Sequence, residues 1–231
     1  MYVLTGPTEE SYLPTIYVGE GDPVRPRLES HFSRKDFWTS ATCFVAKDSS
    51  LNKAHIQHLE ARLVELALAC RRSRLDNQCC PQRPALSESD HADAESFLAH
   101  MLTVFPVVGI NVFESAPGPQ SETTILSLRG RTIQASGYEC DDGFVVVSGS
   151  EAVLDENPSL RKTQSDLRRD LFESGAVISE GGRLRFTQDY VFNSPSVAAA
   201  VLLGRSANGR IEWQDNLGRT LKQIQQSAAG E

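Results

Sequence analysis

The run ESAPGPQSETT, Glu114 to Thr124, limits the possible folds more than any other stretch. Its prolines lack a backbone donor and its remaining residues are small or polar, so it extends neither a helix nor a central strand. It reads as a linker, with a second compact unit beyond it. A chain of 231 residues is long enough for one or two domains and needs no disulfides to bury a core. The expected division is a first domain over residues 1–85, an acidic helix and linker over 86–124, and a second domain over 125–231.

The formal net charge of −7 lowers the expectation of nucleic-acid binding for the chain as a whole. Its distribution matters more. Residues 1–85 carry +1, residues 86–124 carry −6 with no basic side chain, and residues 125–231 carry −2. The acidity is concentrated in the middle, which leaves room for a local basic groove in the first segment. No apolar run approaches the ~20 residues of a membrane span, so no membrane partner is expected. Nothing resembles a secretion signal. Five unevenly spaced cysteines fit reduced thiols and a cytoplasmic location.

The residue pattern predicts an α+β fold: a small antiparallel sheet flanked by helices, then a second small α+β domain. The first segment reads as strands Tyr2 to Leu4 and Thr15 to Val18 joined by a turn-rich link. A helix over about Val24 to Lys35, a strand over Ala41 to Ala46 and a helix over about Lys53 to Arg71 follow. Asp22 is the expected cap of the first helix, with Pro23 at its first position and Pro26 as an irregularity. Asn52 is the expected cap of the second. Glu88 to Leu102 is helix-like, with Phe97, Leu98, Met101 and Leu102 as its apolar residues. Beyond the linker come a hairpin over Gly137 to Ser148, a helix over about Ser159 to Ser174 and a hairpin turning at Gly181-Gly182. A short helix after Ser194-Pro195 and a strand holding Ile211 and Trp213 complete the unit.

Chemistry-bearing residues gather in the first segment. At about 100° per residue, Ile56, Leu59, Leu63, Leu66, Ala67 and Cys70 form one helical stripe, and Glu60 borders it. A carboxylate there is partly desolvated and needs a cation or a donor. A helix-edge salt bridge satisfies that need as well as a metal does. Arg27 and His31 are four residues apart and share a helix face. Arginine can hold a phosphate through two parallel hydrogen bonds, although an exposed helix face also carries such residues. Tyr17, in YVG, would ordinarily be a half-buried strand tyrosine.

Taken together, YVL at Tyr2, YVG at Tyr17 to Gly19, Arg27 eight positions later and helical Glu60 resemble the GIY-YIG nuclease family. DFWTSATCFVAKDSSLNKAHIQHLEARLVELA and Asn77 extend the resemblance over roughly residues 1–80. FTQDYVFNSPSVAAAVLLGRSANGRIEW resembles a C-terminal domain of uncharacterised role that accompanies such modules. Family members carry Gly-Ile or Gly-Val before the first tyrosine. Met1 stands there instead, so the chain is expected to be shortened within the first motif.

The resemblance implies a DNA endonuclease that uses one divalent ion, Mg2+ or Mn2+. Glu60 would hold the metal, Arg27 would face the scissile phosphate, and Tyr17 would be the general base, with Tyr2 or His31 orienting the attacking water. Arg25, Lys35 and Asn77 would contact substrate. Free tyrosine titrates near ~10, so the base role requires a cation beside Tyr17. A non-cleaving DNA-binding or interaction protein that keeps the nuclease fold is the alternative.

Other motifs point elsewhere with less force. Cys70, Cys79, Cys80 and His91 lack the spacing of a structural zinc site. His55 and His58 are expected on the surface. Gly19 and Gly21 lack the lysine of a phosphate loop. Arg161, Lys162, Arg168 and Arg169 form either a solvated helix face or a DNA-docking face.

Overall fold

The computed structural model describes residues 1–8, 11–46, 51–120 and 123–228. Lys47 to Ser50, between the expected third strand and second helix, and Ser121-Glu122 of the linker lie outside the described residues. The fold is α+β and divides into two units, Met1–Glu114 and Ser115–Glu231. The acidic helix belongs to the first unit, so that boundary falls at the start of the expected linker.

The first unit carries a sheet ordered β3-β1-β2-β4, formed by β1 (Tyr2–Thr8), β2 (Ser11–Gly19), β3 (Ser40–Cys43) and β4 (Arg74–Leu75). Among the described residues, the expected turn-rich link is instead strand, with Glu9 and Glu10 outside them. Thr5 opposes Ile16, Gly6 opposes Thr15, and the register shifts between Gly6 and Thr8. That irregularity accommodates Pro7, which has no donor for a regular ladder. Directly opposed residues share a sheet face. Tyr2 with Gly19 and Leu4 with Tyr17 therefore lie on one face, and Val3 with Val18 on the other.

The Val3 face builds the core. Val3, Ile16 and Val18 pack in one cluster with Leu59, Leu63 and Val64 of α2 (Lys53–Cys70) and Leu98, Met101 and Phe105 of α3 (Glu88–Val107). Asn52 caps α2 as expected, its side chain accepting from the His55 N–H at 3.0 Å. The helix ends at Arg71 in the left-handed region (φ 53°), whose N–H donates to the Ala67 carbonyl. The opposite sheet face carries α1 (Val24–Arg34). Its start differs from the expectation: Pro23, not Asp22, is the capping residue, and it offers no side-chain bond. Pro26 then falls at the third helical residue, where an N–H would have had no intrahelical partner, so it causes no break.

The second unit contains the sheet β11-β7-β6-β5, from β5 (Leu126–Arg129), β6 (Gln134–Cys140), β7 (Gly143–Val146) and β11 (Tyr190–Phe192). A smaller sheet β8-β10-β9 joins β8 (Glu151–Ala152), β9 (Val177–Glu180) and β10 (Arg183–Phe186). Helices α4 (Lys162–Glu173), α5 (Pro195–Leu203), α6 (Gly209–Glu212) and α7 (Leu221–Ala228) complete it. The expected final strand is corrected: Ile211 lies in α6, because Asn208 caps that turn by accepting from the Arg210 N–H. Trp213 follows in extended backbone, fully buried, its ring 4.5 Å from Phe144 and its indole N–H on the Pro195 carbonyl at 3.0 Å. Among the described residues, no helix is long and apolar enough to cross a membrane.

Candidate active site

The pairing of Tyr2 with Gly19 brings the two tyrosine motifs side by side. Their rings lie 6.3 Å apart, with the His31 ring of α1 at 5.7 Å from Tyr2 and 4.7 Å from Tyr17. Gly19 is required by this packing. A methyl group there would come within 2.7 Å of both the Tyr2 hydroxyl and the Tyr17 ring. Gly21 is restricted in a similar way, since a methyl group would meet the Arg27 stem at 2.7 Å.

The hydroxyl of Tyr2 and Nε2 of His31 lie 2.7 Å apart. Burial first, then the neighbouring Tyr17, pushes Tyr2 up to about 12, against the opposing pull of Arg27. Burial, followed by Lys35, pulls His31 below its ordinary value. At neutral pH the phenol therefore keeps its proton and the imidazole is neutral, so Tyr2 O–H donates and His31 Nε2 accepts.

Tyr17 is also raised, chiefly by burial and then by the charge of Glu60, with Arg27 opposing. A cation does stand beside it: the Lys35 ammonium lies 4.4 Å from the ring centre and also pairs with Asp76. Arg27 is exposed, with Nε on the Glu20 carbonyl at 3.4 Å. Glu60 is half-buried on α2. Burial and then Glu20 raise its carboxyl above the ordinary range, while Lys53, the ion-pair partner of Glu20, pulls it back.

The structure thus brings Tyr2, Tyr17, Arg27, His31 and Glu60 into one electrostatic neighbourhood. The three expected substrate contacts fare differently. Asn77 is occupied by the backbone, because its amide clamps Val18 from both sides, donating to the carbonyl at 2.8 Å and accepting from the N–H at 2.9 Å. Lys35 is engaged by Asp76 and Tyr17. Arg25 is exposed and pairs with Glu29 at 2.9 Å.

Two histidines overturn their sequence reading. His55 and His58 are buried, not on the surface, at 3% and 2% exposure. His55 closes the α2 cap by accepting the Asn52 N–H on Nδ1 at 3.2 Å, which leaves Nε2 to donate to Asp90. His58 Nε2 meets Glu95 of α3 at 2.7 Å. Burial works to raise Glu95, yet hydrogen bonds from Arg62 and His58 outweigh it and hold the carboxyl below its ordinary value. The available signal was the place of His55 one helical turn before Leu59 in the apolar stripe.

The basic run of the second unit is also corrected. Arg168 is buried, donating to the carbonyls of Val201, Val153 and Leu154 and pairing with Glu156. Lys162 and Arg169 both pair with Asp166. A different surface is more open: a groove of about 490 Å³ lined by Arg129, Arg131, Arg183 and Glu151.

Residues 126–225, within the second unit, match the family model "Domain of unknown function (DUF4357)". No curated protein and no solved structure matches the chain.

Proposed function

We propose that the first unit is a metal-dependent DNA endonuclease with a GIY-YIG-like site, in which the second unit assists DNA binding. The observation that carries this reading is the convergence of both tyrosines, His31 and the charges of Arg27 and Glu60 around Gly19. Glu60 fits a hard divalent cation: it offers a half-buried carboxylate with no hydrogen bond or ion pair recorded among the described residues. Mg2+ typically takes one or two protein carboxylates and keeps several waters. When bound, the ion would supply Lewis-acid charge to the departing oxygen.

The chain's own residues divide the remaining work. Arg27, exposed on α1 and beside Tyr2, neutralises charge on the scissile phosphate. Tyr17 accepts the proton of the attacking water, with the Lys35 ammonium over its ring favouring the phenolate. Tyr2 stays protonated and fixes the His31 ring through its hydrogen bond. Asn77 holds the strand that carries Tyr17. Arg25 remains a candidate phosphate contact at the exposed edge.

In the second unit, Arg129 and Arg131 line the groove with no ion pair recorded for them among the described residues. They would contact phosphates without reading sequence.

Plasmid and branched DNA incubated with Mg2+ or with EDTA tests the reading. Cleavage that needs Mg2+ and is lost in Glu60→Ala supports it. Binding without cleavage under every divalent ion favours a non-cleaving DNA-binding protein, and equal cutting by Glu60→Ala overturns the metal assignment. Arg129→Glu with Arg131→Glu should weaken DNA binding and flatten its salt slope by about two.

A further inference from the structure

His58, His91 and Glu95 place three ligand atoms within 4.8 Å of one another at the packed interface of α2 and α3. We propose that this is a second metal site, one that takes a borderline d-block cation of the Zn2+ type and clamps α2 to α3. It is independent of the nuclease reading and chemically distinct from Glu60.

His91 and Glu95 lie four residues apart on α3, so their side chains share one face. His58 comes from the facing helix, 2% exposed and already 2.7 Å from Glu95. The rings of His58 and His91 stand edge to face with centroids 5.0 Å apart. Two imidazoles and one carboxylate suit Zn2+, which binds such donors at about 2.0–2.2 Å, whereas Mg2+ favours an all-oxygen set. The three atoms, within 4.8 Å of one another, must close further around the ion, and His91 is exposed, which leaves water the fourth position.

Binding replaces the hydrogen bond between His58 Nε2 and Glu95: the ring proton of the neutral imidazole moves to Nδ1, which frees the Nε2 lone pair for the metal. Arg62 now holds Glu95 through Nε at 2.9 Å and must loosen. It has an alternative partner in Glu65, which its Nη1 already reaches at 3.2 Å. The exposed thiols Cys79 and Cys80 are the competing zinc ligands and need their own control.

The experiment titrates Zn2+ into the full chain, stripped of metal, and follows binding by calorimetry and stability by thermal melting. The expected result is one equivalent bound and a raised Tm that Mg2+ does not reproduce. His91→Ala, at an exposed position, and Glu95→Gln should each weaken binding about 10-fold or more. Cys79→Ser with Cys80→Ser should leave it unchanged. Zinc binding that survives His91→Ala and Glu95→Gln, or that disappears with the two serines, overturns the proposal. So does the absence of any zinc-dependent Tm shift.

Discussion

Gly19 has no room for a methyl group, because Tyr2 and Tyr17 close over it from both sides. Gly19→Ala should displace both rings and reduce DNA cleavage by at least about 10-fold, as small misplacements in active sites do. Far-ultraviolet circular dichroism should stay native, since the atoms in the way are side chains. The base assignment has its own signature in pH. Tyr17 is held above its ordinary value, and a base works only when unprotonated. The cleavage rate should therefore climb across pH 7 to 9 without levelling. Levelling above about pH 7 would assign the proton transfer to His31, whose pKa is lowered. Glu60 makes the opposite kind of prediction, about stability. Its folded pKa is raised, so the ionised carboxylate destabilises the fold at pH values above that pKa. Glu60→Gln should raise the Tm of metal-free protein at pH 7, and the gain should fade as the pH falls through the ordinary glutamate range. Thermal melts at the two pH values, beside a cleavage assay, test whether this position trades stability for binding.

At the scale of elements, Asn77 and Val18 decide how firmly β2 is held. Val18 is fully buried, and beyond β4 its backbone N–H and carbonyl depend on the Asn77 amide. Asn77→Ala leaves buried polar groups unpaired and should cost about 2 kcal/mol in denaturant unfolding. The sequence made only the Thr15 to Val18 half of β2 legible, and the partner of Val18 lies 59 residues away and leaves no local trace. The same limit explains the histidines of α2. Periodicity placed Leu59 and Leu63 inward correctly, whereas a histidine can be buried only if something across the interface satisfies it. Asp90 and Glu95 of α3 do so, and that pairing is a property of packing. Trp213 illustrates a third kind of limit: its burial follows from its size, but the short turn before it depends on Asn208.

For the whole molecule, the chain divides into two units between Glu114 and Ser115, at the start of the turn-rich run. The acidic helix falls on the near side because Leu98, Met101 and Phe105 complete the core of β1, β2 and α2. Each unit has its own buried cluster. Trp213→Ala should thus destabilise the second unit by about 3–5 kcal/mol. Hydrogen exchange should show lost protection within residues 126–225, while the amides of β1 and β2 keep theirs. Arg168 carries a consequence of another kind. Its guanidinium joins carbonyls 14, 15 and 33 residues away along the chain, so its bonds exist only once those segments have assembled. Bonds that need all three segments in place are expected to form after the transition state, which a φ-value near zero at Arg168 would register. Replacing Arg168 should therefore leave the refolding rate nearly unchanged and speed unfolding, which makes this one side chain a setting on how long the folded second unit survives.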